Sequence, residues 1–298
     1  MKSNIMFEGI YPAIFSIYDK NLNVIEESVE KLVNYHLDNG VDGFYVCGNT
    51  GECTVLPART RKQMLEAVVK YTNKRGKIMC HVGAGHLEEV LELVEHANGL
   101  DIDAIASLPP SLTPYYKEDA IIEYYRILAK ASKHPVIAYV TPVLNADVTW
   151  FLEEIMKIDN VIGAKLTIPN YFAFGKCITV NGGNLNILNG PDETLLCGLA
   201  VGAHGGGGTT YNLLPKQFVN LYKAFKAGNI DEARKIQQAV NRIINVCVGH
   251  NIAHWKLPLK FIMDIDTGHL VEPGIIPSKE EEIRFKAQLE SLGFFDLI

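Results

Sequence analysis

This 298-residue sequence has no basic tract and no long apolar run. Its net charge of −6 at pH 7 gives no reason to expect a nucleic acid or an anionic membrane as a partner. The longest apolar runs have the length of a strand and fall well short of the ~18 residues of a membrane span. The first fifteen residues hold one early lysine and an interrupted apolar stretch, so we expect no secretory signal there.

The six cysteines include no C-x-x-C pair, so we expect reduced thiols, mostly in the core, in a cytoplasmic protein. The first strand-to-helix turn lacks G-x-G-x-x-G, and the glycine run at 205–208 lacks the GK[ST] ending of a P-loop, so no nucleotide site is predicted. His250 and His254 are four residues apart, but Asn251 replaces the glutamate that the zinc-protease motif requires. We predict no metal site and expect both histidines to lie away from the strand ends.

Short apolar runs alternate with segments of helical period as far as residue 227. The alternation makes eight strand-then-helix units, which favour a closed (β/α)₈ TIM barrel over an open doubly wound sheet. Beyond residue 229 the period is purely helical. We therefore predict a catalytic barrel over 1–228 and a helical extension over 229–298 that packs on the barrel and is not a separate catalytic unit. The predicted strands are 9–15, 42–48, 77–83, 103–108, 135–140, 161–165, 185–190 and 204–208.

The chemistry of such a barrel lies where its strands end. Lys165 closes the apolar run 161–164, where neighbours would partly desolvate its amine and favour the neutral nucleophile that attacks ketones. The alternative is a strand-end lysine that reaches solvent. Tyr139 ends the fifth strand and could equally be a half-buried aromatic. The turn 48–52 (GNTGE) offers amides and a hydroxyl that suit a carboxylate, or it is an ordinary glycine-rich turn. The glycines at 205–208 would let the backbone approach a substrate closely.

Together these strand-end residues resemble the N-acetylneuraminate lyase/dihydrodipicolinate synthase family of pyruvate-dependent class I aldolases. The resemblance covers roughly residues 7–265 and implies that Lys165 forms a Schiff base with a 2-keto acid while the Tyr139 phenol transfers protons beside it. It also implies that Asn49 and Thr50 hold the pyruvoyl carboxylate, with Gly207 and Gly208 lining the same pocket. The motifs that carry it are GNTGE (48–52), HVGA (81–84), YVTP (139–142), GAKLT (163–167), NGPDE (189–193) and GAHGGGGTTYN (202–212).

Within that family the chain is most similar to the lyase branch. The synthase branch places an arginine two residues after the proline of YVTP, and this chain has Leu144 there. The lyase branch has a threonine at Thr167, a hydroxyl at Thr209 and an Asp-Glu pair, matched by Asp192 and Glu193 after Gly190, that binds sugar hydroxyls. Asp192 could instead cap the next helix. The resemblance implies N-acetylneuraminate and pyruvate as ligands, a homotetramer, and no cofactor, since the iminium is the electron sink.

Three departures leave alternatives open. Asn49 stands where lyases have a serine or threonine, and an amide cannot pass a proton as a hydroxyl does. Pro191 replaces an aromatic residue. Tyr115 and Tyr116 follow the prolines at 109 and 110 later than the usual aromatic pair does, so no relay tyrosine from a neighbouring subunit is assigned. Another 2-keto-3-deoxy sugar-acid aldolase or dehydratase, or a synthase-like enzyme, is the main alternative. A sugar-acid sensor without turnover is the second.

Overall fold

The computed structural model describes residues 4–109, 118–144 and 146–298. Eight parallel strands form one sheet in the order β1-β8-β7-β6-β5-β4-β3-β2. The strands are β1 (Gly9–Pro12), β2 (Gly43–Val46), β3 (Lys77–His81), β4 (Ala104–Ser107), β5 (Val136–Val140), β6 (Val161–Leu166), β7 (Asn186–Asn189) and β8 (Gly205–Gly208). The helices that follow them are α1 (Glu26–Asp38), α2 (Ala58–Thr72), α3 (Leu87–Asn98), α4 (Glu118–Ala131), α5 (Val148–Ile155), α6 (Tyr171–Thr179), α7 (Leu195–Val201) and α8 (Pro215–Lys226).

The two ends of the sheet meet, which makes a TIM barrel and confirms the predicted fold class. The backbone N–H of Asp42 donates to the carbonyl of Ile10 at 2.9 Å, and that of Ile14 donates to the carbonyl of Tyr45 at 3.0 Å. Side chains alternate along each strand between the barrel interior and the helix layer. On β2, Tyr45 therefore belongs to the inner cluster and Phe44 to the outer one.

An irregularity in β6 decides where Lys165 points. Val136 pairs with Val161, but the next residue of β5 pairs with Gly163, so β6 carries one extra residue at this point. Ile162 and Lys165 consequently both face the barrel interior although they are three residues apart. A regular strand would have turned one of them toward the helices, because the side-chain period is two.

Three helices follow the barrel: α9 (Ile230–Val248), α10 (Ile252–Met263) and α11 (Lys279–Ser291). The Asn251 side chain accepts hydrogen bonds from the amides of Ala253 and His254, so it caps α10. Ser278 and Glu281 form a capping box at the start of α11. The extension is fixed to the barrel by α9, where Asn241 donates to the carbonyl of Glu193 at 2.9 Å.

All six cysteines are free thiols, as predicted. Five are buried, but Cys197 is exposed on α7, so the expectation of core positions fails for this residue. Across the described ranges, no helix is both long and apolar enough to cross a membrane.

Candidate active site

A cavity of about 680 Å³ opens at the carboxyl ends of the strands. It brings together ten of the eleven predicted site residues from the turns after β2, β5, β6, β7 and β8. These ten are Asn49, Thr50, Tyr139, Lys165, Thr167, Gly190, Asp192, Glu193, Gly208 and Thr209.

Lys165 lies on the floor of the cavity and is only 4% exposed. Its Nζ is 4.5 Å from the ring centroid of Tyr45 and 4.6 Å from that of Tyr139. Tyr139 is its direct partner in the β5–β6 register, so adjacent strands hold the amine and the phenol side by side. No salt bridge pairs Lys165 with a carboxylate in the described part of the chain. Among these residues, the buried amine therefore has no carboxylate partner that would hold it as an ammonium ion. A nucleophile requires this freedom, because only the neutral amine attacks a ketone.

The turn after β2 supplies short polar side chains to the same cavity. The hydroxyls of Thr50 and Thr209 are hydrogen-bonded at 2.7 Å, which joins the turns after β2 and β8. The Oδ1 atom of Asn49 accepts a hydrogen bond from the Cys53 thiol at 3.4 Å. This contact assigns a protein partner to the amide oxygen and leaves the Nδ2 donors of Asn49 for a carboxylate.

Asp192 is buried and holds the turn after β8. Its Oδ2 atom accepts hydrogen bonds at 2.5 Å from both the amide and the hydroxyl of Thr210. Burial raises the pKa of Asp192 to about 6, although the bonds from Thr210 and the charge of Lys165 oppose the shift. Asp192 does not cap α7, because Thr194 is the N-cap residue there and no side chain caps it. The alternative role as a helix cap is therefore wrong.

Two glycines make room for functional side chains. A Cβ atom at Gly208 would lie 1.7 Å from Oδ1 of Asp192, and one at Gly190 would lie 1.9 Å from the Thr167 hydroxyl. The Thr167 Oγ1 atom is buried and has no hydrogen-bond partner in the described residues, so it has free capacity for a ligand. Gly207 does not line the cavity as expected. It lies beneath the lysine, where an added Cβ would be 3.7 Å from Cδ and Cε of Lys165.

The outer wall of the cavity comes from the C-terminal extension, which the sequence analysis did not connect with the site. His250 lines this wall, so the expectation that it lies away from the strand ends is wrong. Apolar side chains make up most of the wall, and the helical period of α9 gave no sign of which of them would reach the site. They are Ile244, Val248, Ile252 and Trp255.

Sequence reasoning also missed Tyr45 and His81, which surround the amine from β2 and β3. The ring of His81 lies 6.2 Å from those of Tyr45 and Tyr139. Its Nε2 atom accepts a hydrogen bond from the amide of Leu108 at 3.0 Å. Burial, together with the charges of Arg61 and Lys165, holds the pKa of His81 well below the usual range. His81 is therefore neutral. The alternation of β2 and β3 was the signal that could have placed both rings inside the barrel.

Three further expectations from the sequence concern the relay tyrosine, a metal site and the position of the synthase arginine. Tyr115 and Tyr116 lie outside the described residues. Within 4–109, 118–144 and 146–298, no cluster of three or more His, Cys, Asp or Glu side chains could hold a metal ion. At the position of the synthase arginine, Leu144 is buried in the core between strands and helices, so it brings no cation to the cavity.

Comparisons with known proteins agree with this geometry. The model of the dihydrodipicolinate synthetase family matches residues 6–291. The N-acetylneuraminate lyase of Mediterraneibacter gnavus is 33% identical over 294 residues, which cover 95% of this chain and 92% of that protein. The wild-type sialic acid aldolase of Ruminococcus gnavus has a TM-score of 0.90 at 32% identity, with 98% of each chain covered. The N-acetylneuraminate lyase of Proteus mirabilis has a TM-score of 0.90 at 27% identity, covering 97% of this chain and 99% of that one. The chain belongs to the dihydrodipicolinate synthetase family, whose members are class I aldolases.

Proposed function

We propose that this enzyme is an N-acetylneuraminate lyase, which cleaves N-acetylneuraminate to N-acetylmannosamine and pyruvate. The observation that carries the proposal is the buried amine of Lys165, which has no ion-pair partner among the described residues and faces the Tyr139 ring on the floor of a cavity shared with Thr167 and Asp192. Relatives with the lyase's name are 31% and 33% identical to this chain over most of its length.

The reaction begins with attack by the neutral Lys165 amine on the C2 ketone of the open-chain sugar acid. The Tyr139 phenol donates the proton with which the carbinolamine loses water. This step leaves Tyr139 as phenolate and gives a protonated Schiff base, which is the electron sink for the next step. Tyr139, as phenolate, takes the proton of the C4 hydroxyl, directly or through the substrate carboxylate. The C3–C4 bond then breaks, its electron pair moves into the iminium, and N-acetylmannosamine leaves. Protonation of the enamine at C3 and hydrolysis release pyruvate and restore the amine.

The remaining cavity residues divide between the two ends of the substrate. Asn49 and Thr50 bind the pyruvoyl carboxylate, because their amide and hydroxyl donors lie on the turn next to Lys165. Thr167 positions groups near C4 with its unpartnered hydroxyl. Asp192 and Glu193 orient sugar hydroxyls from the turn after β7. Gly190, Gly208 and Thr209 shape the same pocket, and Gly207 leaves room for the stem of Lys165.

Three further properties belong to the proposal. The barrel spans residues 1–228, and the extension spans 229–298 and completes the outer wall of the site. The enzyme is cytoplasmic, since its cysteines are free and most are buried. It is a homotetramer, which is the assembly that the family resemblance implies.

A substrate panel tests the proposed reaction. Pyruvate release would be measured with N-acetylneuraminate and with 2-keto-3-deoxy sugar acids of shorter chain. We expect the highest kcat/KM with N-acetylneuraminate. In parallel, pyruvate plus borohydride should permanently modify Lys165, as read by mass spectrometry of the peptide that contains it.

The matched control is Lys165→Arg, which keeps a cation on a long stem but has no neutral amine for attack. It should release no pyruvate and take no adduct. Turnover of a shorter keto-deoxy sugar acid with none of N-acetylneuraminate would overturn the substrate assignment. An adduct on another lysine, or none in the wild type, would overturn the Schiff-base mechanism itself.

A further inference from the structure

The amine of Lys165 is held between two aromatic rings, and only one of them has a part in the reaction proposed above. Tyr139 contributes one face at 4.6 Å, and Tyr45 contributes the other at 4.5 Å. Both distances are within the ~6 Å over which a ring face attracts a cation. The two rings also contact each other edge to face, with centroids 6.0 Å apart. We call Tyr45 and Tyr139 the aromatic clamp.

Apart from the rings, the Asp192 carboxylate acts on this nitrogen through its charge but forms no ion pair with it. No salt bridge reaches Lys165 in the part of the chain that the structure describes. One oxygen of the buried Asp192 carboxylate already accepts two hydrogen bonds from Thr210. Glu193 is exposed at the mouth of the cavity. Schiff-base formation nevertheless turns a neutral amine into a cationic iminium at a site that is 4% exposed. A buried cation without compensation is costly.

We propose that Tyr45 is a further catalytic residue, whose ring face stabilises the iminium on Lys165 in place of a carboxylate. The proposal rests on the Schiff-base function proposed above. The Tyr45 ring favours the step in which the carbinolamine loses water. That step creates the positive charge on the nitrogen, and the ring is already in contact with the nitrogen when it does.

The ring of Tyr45, and not its hydroxyl, is the part that acts. The hydroxyl is buried and has no hydrogen-bond partner in the described residues. The ring is fixed from behind by the GNTGE turn, where an added Cβ on Gly48 would lie 2.5 Å from Cε1 of Tyr45. The ring of His81 also lies beside Tyr45, with the two ring centroids 6.2 Å apart. The clamp is thus formed before any substrate arrives.

The test measures how much pyruvate is needed to form the Schiff base. The occupancy of the iminium is read by borohydride trapping and mass spectrometry across a pyruvate titration at one alkaline pH, so that the enzymes compared differ only in the substituted residue. Tyr45→Phe keeps the ring and should titrate like the wild type. Tyr45→Leu removes it and should need about 30-fold more pyruvate, the effect of losing one desolvated cation–π contact.

Fluorinated phenylalanines at position 45 separate the ring's charge distribution from its packing. One, two and three ring fluorines weaken the negative face in steps while the ring's shape is nearly kept. The pyruvate requirement should rise in the same steps. The matched control is Phe44→Leu, which removes a ring of similar size from the same strand but from its outer face. It should leave the titration unchanged.

The outcomes are distinguishable. A Tyr45→Leu enzyme that traps pyruvate like the wild type, or a fluorine series without a trend, would overturn the clamp and leave the Schiff-base function intact. A Tyr45→Phe enzyme that loses trapping would assign the role to the hydroxyl and also overturn it. A wild type that takes no adduct would overturn the proposed function together with this inference.

Discussion

A buried ion pair joins the active-site turn to the C-terminal extension, and its removal is the sharpest test of how the site is held. Lys256 on α10 donates to Oε1 of Glu52 at 2.7 Å, and Tyr18 donates to Oε2 of the same carboxylate at 2.5 Å. The side chains of Lys256 and Glu52 are 2% and 8% exposed. Desolvation lowers the pKa of Lys256, while the charge of Glu52 opposes that shift. We predict that Lys256→Met destabilises the enzyme strongly.

The size of the effect follows from what the substitution leaves behind. Methionine fills the space of the lysine stem, so the main loss is electrostatic. Among the described residues, the carboxylate of Glu52 then stays buried with only the Tyr18 hydroxyl as donor. Breaking a buried pair by removing one partner typically costs about 3–5 kcal/mol of the free energy of unfolding. At about 2 °C per kcal/mol for a protein of this size, Tm should fall by about 6–10 °C.

The assay is a double-mutant cycle on thermal and urea unfolding. Glu52→Gln alone leaves the Lys256 charge buried and should also destabilise. The double variant Glu52→Gln/Lys256→Met removes both charges and keeps an acceptor for Tyr18, so it should recover more than 2 kcal/mol of the summed losses. Single losses below about 1 kcal/mol, or a double variant equal to the sum of the singles, would refute the reasoning.

Three further predictions concern the cavity. Chelation with EDTA should leave pyruvate release unchanged, since the iminium is the electron sink; loss of activity that added metal restores would contradict this. Gly208→Ala places a Cβ 1.7 Å from Oδ1 of Asp192 and should lower kcat/KM for the sugar acid by at least about 10-fold, whereas Gly175→Ala, where an added Cβ meets nothing within 4 Å, should not. Asp192→Asn should gain stability over the wild type as pH rises from about 4 to 6. The pKa of Asp192 is about 6 in the native state and 3.8 ordinarily, so between these two values the native state keeps a proton that the unfolded state has released. As pH rises across that window, the free energy of unfolding of the wild type therefore falls by up to about 3 kcal/mol. Urea midpoints at pH 4, 5, 6 and 7 would check it, and a constant difference would count against a buried carboxylate.

The barrel could be predicted from the sequence because each of its units repeats the same signal. A short apolar run followed by a segment of helical period recurs eight times, and each of these units contains an observed strand followed by an observed helix. Seven of the eight strands were predicted too long, as 9–15 against Gly9–Pro12, since apolar residues continue into the turn that follows. The sixth was predicted one residue too short, as 161–165 against Val161–Leu166. Periodicity records burial, and burial does not stop where strand pairing stops.

The face to which Lys165 points could not be derived in the same way. The run 161–164 is apolar throughout, so it contains no alternation from which an inner and an outer face could be read. The extra residue of β6 near Ile162 determines the direction, and it is visible only in the register with β5. The resemblance to a family supplied what the local pattern lacked. Asp192 shows the opposite case. Its position permitted a helix cap, but Thr194 is the N-cap residue of α7 and the Asp192 carboxylate accepts from Thr210 instead.

The residues that line the outer half of the cavity could not be predicted from the sequence, because tertiary packing places them there. Residues at strand ends are placed by the barrel itself, but Ile252 and Trp255 reach the cavity only because α10 is held in one position against it. Glu52 makes that connection, although its place in the GNTGE turn suggests a ligand-binding role. Through Lys256, the turn that carries Asn49 is tied to the helix that forms the far wall. The turn that carries Asn49 and the helix that forms the outer wall of the cavity are thus some 200 residues apart in the chain and share one ion pair. Changes on α10 should therefore alter the choice of sugar while the Schiff-base chemistry continues.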